Sequence, residues 1–198
     1  MEHANSQDFS PTDHVDKPTE ILSNEHRIIE RVLSAVEKLA KGPVAALEPW
    51  KKALDFFRHF ADERHHFKEE KLLFPLMEEH GILIEGGPIG MMLVEHEEGR
   101  SYVKAMLAAL SLVEAGNESA KESLVSSAQA YCRLLREHIE KEDEILFRMA
   151  DEVIPADEQK KLLAGFAQHE GEQMAAGAHE KYLKIALALE GGTGLNAI

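Results

Sequence analysis

The sequence predicts an all-α protein: an up-down-up-down bundle of four long helices, followed by one or two shorter C-terminal helices. Two observations predict this class. Apolar residues recur every three or four positions through four long segments. No segment has the apolar–polar alternation of a β-strand, and no hairpin turn signal occurs. Short to moderate connections join the four segments, so we expect successive helices to be antiparallel.

The first two helices are defined by their apolar stripes and by proline and glycine. Helix one is expected at residues 19–40, with Thr19 as a candidate N-cap. Its inward stripe would consist of Leu22, His26, Ile29, Leu33 and Val36. Helix two is expected at residues 49–80, with a kink near Pro75.

Helices three and four follow the same pattern. Helix three is expected at residues 88–115, with the stripe Met92, His96, Gly99, Val103, Met106 and Leu110. Asn117 could cap helix four, expected at residues 118–151. Its stripe would consist of Tyr131, Leu135, His138, Glu142, Ile145 and Met149. Two shorter helical patterns follow, at about 156–170 and 174–189.

These elements suggest three regions. Residues 1–17 are polar and are expected to form a flexible N-terminal tail. Residues 18–152 would form the four-helix bundle. Residues 153–198 would form a C-terminal helical extension packed on the outside or at one end of the bundle.

Composition excludes several classes of partner. A net charge of −14 argues against binding nucleic acid or an anionic membrane. The single cysteine, Cys132, permits no disulfide within the chain and no zinc site built on several thiolates. We see no secretory signal or membrane-spanning run, so the expected location is the cytoplasm.

One motif occurs twice. HHFKEEKLLFP at 65–75 and HIEKEDEILF at 138–147 align on their shared Leu-Phe, which places His65 on His138 and Glu69 on Glu142. Each His–Glu pair is spaced i, i+4, so its two side chains lie on one face of a helix. A competing pairing within the first copy, His66 with Glu70, has the same spacing.

Each long helix therefore places a histidine where packing favours leucine. Buried imidazoles and carboxylates are costly unless they are paired or bind a metal. A single buried histidine is more often a hydrogen-bonded core residue, but four on four stripes indicate a metal site. Imidazole and carboxylate without thiolate suit iron, manganese or zinc. More than four ligands suggests two ions bridged by the glutamates.

Four sequence segments that contain these residues resemble segments of a known protein family. The sequence resembles the hemerythrin-like (HHE cation-binding) family, in particular a bacterial branch of it. The resemblance spans about residues 19–151 and rests on four segments: NEH at 24–26, HHFKEEKLLFP at 65–75, GGPIGMMLVEHEEGR at 86–100 and HIEKEDEILF at 138–147.

The resemblance implies a four-helix bundle around two iron ions with an oxo or hydroxo bridge; zinc or manganese could occupy the site in purified protein. The implied metal ligands are His26, His65, His66, Glu69, His96, His138 and Glu142, with the two glutamates as bridges. Oxygen carriers of the family have a further histidine where this chain has Arg100. His66 is the expected substitute, and His59 is the alternative.

The acidic residues next to the implied ligands and the remaining histidines have simpler expected positions. Glu25 and Glu95 precede ligand histidines and could orient imidazoles or remain exposed bundle charges. Glu70 and Asp143 could support the metal ligands or face solvent, and we expect them to face solvent. The remaining histidines are expected at the surface: His3, His14, His80, His169 and His179.

The expected function is binding or sensing of O2, or of NO or peroxide, at the di-iron centre. Two octahedral ions offer about twelve ligand positions, and the implied ligands and bridge leave one open. The alternative is a di-iron enzyme or iron-handling protein that reduces peroxide or NO, or donates iron for repair. A ferritin-like site is disfavoured because Glu-x-x-His occurs only at Glu63–His66. No protein partner can be named.

Overall fold

The computed structural model describes residues 17–173 and 178–191. Within these residues every regular element is a helix. The predicted all-α class and the additional C-terminal helices are confirmed. Apart from Lys17, the expected N-terminal tail lies outside the described residues, as do His3 and His14 and the side chain of His179.

Six helices are described, labelled here in chain order. Helix α1 is Pro18–Lys41. Helix α2 covers residues 48–79 without a break. Helix α3 is Pro88–Glu114. Helix α4 covers residues 120–153. Helices α5, Ala156–Gln173, and α6, Ala178–Glu190, form the C-terminal part.

Two of these helices change their winding along their length. Helix α2 begins as an α-helix at Glu48–Phe56, is π-helical at Phe57–His66 and again at Glu69–Leu73, and ends as an α-helix at Phe74–Glu79. Helix α4 is α-helical at Ala120–Lys141, π-helical at Glu142–Leu146 and α-helical at Phe147–Val153. A π turn inserts an extra residue and widens the helix locally, and such turns are frequent at functional sites.

The π turn in α4 corrects one predicted core position. Ile145 was expected on the inward stripe, but its side chain is exposed and Leu146 is buried in its place. The extra residue of the turn Glu142–Leu146 delays the return to the inward face by one position. A constant period of 3.6 residues cannot anticipate that delay.

Two predicted helix caps also differ. Thr19 lies inside the first turn of α1, where its hydroxyl donates to Asp151 Oδ1 at 2.8 Å instead of capping the helix. Asn117 lies ahead of α4 and accepts from the backbone N–H of Ser119 at 3.1 Å, which forms a turn before the helix begins.

The apolar core consists of two clusters at different levels of the bundle. The larger cluster joins α1–α4 and α6 and includes Ile29, Phe60, Val103, Leu135 and Tyr182. The smaller cluster joins α1–α5 and includes Leu22, Leu73, Met92, Leu146 and Phe166. On each of the four long helices the chain passes from one cluster to the other through a buried polar layer.

Candidate metal centre

The polar layer between the two apolar clusters contains all seven candidate ligands. These residues are at most 5% exposed and come from all four long helices. They form two groups whose possible ligand atoms lie within 4.8 Å of one another. One group comprises His26, His65, Glu69 and Glu142, and the other comprises His66, His96 and His138. His59, the alternative to His66, joins neither group; it is partly exposed and pairs with Glu63 at 2.7 Å.

In the first group two imidazoles face the two carboxylates. His65 Nε2 lies 3.3 Å from Glu69 Oε1, which is the i, i+4 contact that the sequence predicts. His26 Nε2 lies 3.3 Å from Glu142 Oε2 on another helix. The rings of His26 and His65 meet edge to face, with centroids 4.6 Å apart. Each carboxylate is thereby presented to an imidazole.

The second group brings two of its three imidazoles to the same carboxylates. His138 Nε2 lies 3.2 Å from Glu142 Oε2, and His96 Nε2 lies 3.5 Å from Glu69 Oε2. The His96 and His138 Nε2 atoms are 3.0 Å apart. The ring of His66 stacks on that of His96 with centroids 3.8 Å apart. Glu69 and Glu142 therefore lie between two sets of imidazoles.

Many polar atoms of the candidate centre lack a hydrogen-bond partner among the described residues. Among the described residues, both carboxylate oxygens of Glu69 and of Glu142 are buried without a hydrogen bond. The same holds for Nε2 of His26, Nε2 of His65 and both ring nitrogens of His66. Buried polar atoms are normally satisfied, and leaving one unpaired costs about 1–3 kcal/mol. Unpaired imidazole and carboxylate groups that point at one another fit a site that binds metal cations.

The outward-facing nitrogens, by contrast, are held by a ring of carboxylates. Glu25 on α1 accepts from His65 on α2 at 3.0 Å, and Glu70 on α2 accepts from His96 on α3 at 2.8 Å. In each case the acid directly neighbours a candidate ligand of its own helix but serves the histidine of the next helix.

The same relation closes the ring. Glu95 on α3 accepts from His138 on α4 at 2.9 Å, and Asp143 on α4 accepts from His26 on α1 at 2.9 Å. A carboxylate at Nδ1 fixes the tautomer that leaves the Nε2 lone pair for a metal and makes the imidazole a stronger ligand. The prediction that Glu70 and Asp143 face solvent is therefore wrong.

Arg100 stands where oxygen carriers of the hemerythrin-like family would have a histidine, and it supports this ring. Its guanidinium donates to Asp62 Oδ1 at 2.8 Å and to Glu70 Oε1 at 2.6 Å. Asp62 in turn lies 3.4 Å from His66 Nδ1. Arg100 thus anchors the carboxylates beside His96 and His66 and does not point at the candidate centre as a ligand would.

Electrostatics explain why the carboxylates need cations. Burial and the nearby Glu142 carboxylate raise the pKa of Glu69. Burial opposes the charge of His65 too, but the Glu69 and Glu25 carboxylates outweigh it and raise the pKa of His65 to about 10. Burial is likewise outweighed at His138, whose pKa Glu142 and Glu95 raise to about 9. The raised pKa values of His65 and His138 show that the buried carboxylates favour positive charge at these positions, which metal ions could supply.

The pKa of His66 is shifted in the opposite direction from the pKa values of His65 and His138. Burial, together with the positive charges of His65 and His138, lowers the pKa of His66 to about 4. Its imidazole is therefore neutral at neutral pH, with an Nε2 lone pair that needs no deprotonation before it binds a metal.

The C-terminal helix α5 also reaches the ring. Glu170 accepts from Lys68 and from Arg64, each at 2.8 Å, and Lys68 donates to Glu25 at 2.5 Å. Lys68 is fully buried. His169, expected at the surface, is 7% exposed, because α5 stacks its ring on Phe67 with centroids 3.7 Å apart. Sequence reasoning missed this network, because the spacing of residues within one helix does not show which helix α5 packs against.

The fold and this donor set define a class: a helical-bundle protein with a candidate His/Glu cation site. Residues 17–150 match the family described as the hemerythrin HHE cation-binding domain. The match covers well over half of the chain, and the protein belongs to this family. The family's cation binding agrees with the His/Glu groups of the polar layer.

Curated relatives share most of the chain at low identity. Uncharacterized proteins of Mycobacterium bovis and of two strains of Mycobacterium tuberculosis are each 22% identical over 180 residues. The aligned region covers 89% of this chain and 70% of each relative. No solved structure gives a significant match. Within the described residues, no helix has the length and apolar character needed to cross a membrane.

Proposed function

We propose that the protein holds two iron ions bridged by Glu69 and Glu142, and that it uses them to bind or sense O2, or a related NO or peroxide ligand. The observation that carries this proposal is the set of buried, unpaired carboxylate oxygens lying between two groups of imidazoles. When bound, a pair of iron(II) ions supplies the two electrons that reversible O2 binding needs.

The unequal distribution of imidazoles supports a site with one exchangeable position. Three imidazoles belong to the His66, His96 and His138 group, and two belong to the His26 and His65 group. If Glu69 and Glu142 each bridged the two ions, they would contribute equally to both. The side of His26 and His65 therefore has one protein ligand fewer, and we assign the exchangeable position to that side.

The chain's own residues would keep water and stray protons away from the centre. Apolar clusters lie on both sides of the polar layer along the bundle axis. Phe147 stacks on the His26 ring with centroids 5.4 Å apart, and Phe74 lies over His96 at 6.1 Å. A dry, enclosed site favours a reversible ligand complex over hydrolysis and side reactions.

The proposal is tested by metal content and spectroscopy. The protein is loaded with iron(II) without air, its iron per chain is measured, and visible spectra are recorded before and after O2 is added. We expect two irons per chain and a visible band that appears with O2 and disappears when O2 is removed. Failure to bind two metal ions per chain in well-folded protein would contradict the proposal.

A third outcome separates the alternative functions. Two irons that oxidise at once, without a reversible band, would contradict O2 carriage. Adding NO or peroxide to the reduced protein then distinguishes a sensor, which forms a stable complex, from an enzyme, which turns the ligand over.

A further inference from the structure

A cavity of about 350 Å³ opens beside the candidate centre, between α2, α3 and α4. His66 is one of its lining residues, and its apolar walls are formed by Phe57, Val103, Leu107, Leu135 and the ring of Tyr131. Its size lies at the lower end of the range of about 300–1,000 Å³ found for small-molecule sites. An apolar chamber of this kind suits a hydrocarbon or aromatic body.

Gly99 makes room for the cavity. It is buried on α3, and a Cβ at this position would contact Tyr131 Cε2 at 3.5 Å and Leu134 Cδ2 at 3.9 Å. An alanine would therefore fit without displacing its neighbours. A leucine would extend into the space that the cavity occupies. Glycine has a low helix propensity, but because it has no side chain it leaves the chamber open at this position.

Three polar groups at the cavity have no partner among the described residues. The hydroxyl of Tyr131, whose side chain is 2% exposed, makes no hydrogen bond there. Burial raises the pKa of Tyr131 well above its usual value, so this group stays a neutral donor. Arg58 and Lys104 line the same cavity, are exposed to solvent, and form no ion pair with a described residue.

The other charged groups at the cavity are already engaged. Asp62 is bound by Arg100, and Glu95 by His138 and Lys141. Arg100 is shared by Asp62, Glu70 and Glu97. The charges left over are therefore the two cations Arg58 and Lys104, in a protein whose net charge is −14.

We infer that this cavity binds a small amphipathic monocarboxylate, such as a medium-chain fatty acid. Its carboxylate is received by Arg58, Lys104 and the Tyr131 hydroxyl, since charge-assisted hydrogen bonds are the stronger kind. Its apolar body fills the chamber toward His66. The cavity lies on the side with three imidazoles, away from the exchangeable position assigned above, so the two ligands do not compete. The inference does not depend on which metal the centre holds.

Calorimetric titration of the purified protein with octanoate tests the site, with octanamide and octylammonium as matched probes. We expect octanoate to bind in a 1:1 complex, octanamide to bind at least about tenfold more weakly, and octylammonium not to bind, because the free charges at the cavity are cationic. Equal affinity for all three probes, or no binding of octanoate at millimolar concentration, would overturn the inference.

Three variants locate the site. Tyr131→Phe keeps the shape of the cavity and removes one donor, and Arg58→Gln removes one charge; each should weaken octanoate binding by about tenfold. Gly99→Leu should abolish binding, while Gly99→Ala, which fits the available space, should retain it. Lys71→Gln is the matched control, since Lys71 is an exposed α2 lysine outside the cavity lining.

Folding and self-association are checked on the same samples. Each variant should keep the wild-type helical circular dichroism spectrum. If Gly99→Leu leaves octanoate affinity unchanged while folded, the cavity is not the site. If sedimentation shows instead that this face holds a second copy of the chain and octanoate does not bind, the inference is also overturned.

Discussion

Each histidine of the candidate centre has two nitrogens with different tasks. In four of the five histidines Nε2 faces Glu69 or Glu142 and Nδ1 donates to a carboxylate of a neighbouring helix; in the fifth, His66, Nδ1 lies 3.4 Å from Asp62 of its own helix. The arrangement explains why the acids stand next to ligands in the sequence: adjacent helical residues are separated by about 100°, so a side chain beside an inward-facing ligand points sideways to the next helix.

Removing one ligand should show whether the centre is shared among helices. For the proposed two-iron centre, we expect His138→Ala to lower iron from two per chain to one or none. His138 belongs to one group, and it contacts Glu142, which also contacts His26 of the other group. His59→Ala is the control and should keep both irons, since His59 lies outside the centre. Metal analysis of the two purified variants gives the answer. Two irons retained by His138→Ala would refute the ligand assignment.

The position of Arg100, one helical turn after His96, leads to a second prediction. We expect His66→Ala to lose about one iron, since it removes one of the three imidazoles of its group. The double variant His66→Ala/Arg100→His should regain part of that iron, because it returns a fifth imidazole one helical turn after His96. Iron per chain is compared for both. A double variant with no more iron than the single one would show that position 100 cannot reach the centre.

Metal binding should release protons. In the metal-free protein the pKa values of about 10 for His65 and about 9 for His138 keep both imidazoles protonated at pH 7. A metal needs the Nε2 lone pair, so binding at pH 7 displaces these protons, and affinity should fall as pH is lowered. Above about pH 10 the release should vanish. Calorimetry in buffers of different ionisation enthalpy measures the number released; no release at pH 7 would contradict this picture.

At the scale of elements, the π turns coincide with the candidate ligands. His65 and His66 end one π segment, and Glu69 and Glu142 each begin another. In α4 the turn carries Ile145 outward and Leu146 inward, so the polar layer and the apolar cluster beyond it can both face the core. The wider turn therefore reconciles ligand placement with packing on the same helix.

Helix α5 couples the C-terminal part to the centre through Glu170. Removing this carboxylate leaves the buried Lys68 with Glu25 as its carboxylate partner. We expect Glu170→Gln to lower the free energy of unfolding by about 1–2 kcal/mol. Asp157→Asn is the control: it breaks only an exposed pair with Lys161 and should change stability by less than about 0.5 kcal/mol. Urea unfolding compares them, and equal stability would show that the α5 contact is dispensable.

For the whole molecule, the position of the polar layer predicts how loss of metal would change the stability of the fold. Because apolar clusters lie on both sides, a metal-free protein keeps its core and should remain folded. Bound metal adds stability by mass action, about 4 kcal/mol when free metal exceeds its dissociation constant a thousandfold. Chelation should therefore lower the thermal midpoint without abolishing cooperative unfolding. Calorimetry with and without chelator tests this, and a non-cooperative metal-free state would contradict it.

The sequence by itself determined the all-α class and the positions at which polar residues interrupt the apolar stripes. Both follow from helical periodicity, which is local and visible in a single chain. The same pattern singled out six of the seven residues that the structure brings together, and the family resemblance added His66, with His59 as the alternative.

Only the tertiary structure decided which acid serves which histidine, where Arg100 points, that α5 reaches Lys68, and that Gly99 opens a cavity beside His66. These features depend on contacts between helices far apart in the chain. The π turns depend on packing as well, because their extra residue is tolerated only where neighbouring helices hold the widened backbone in place.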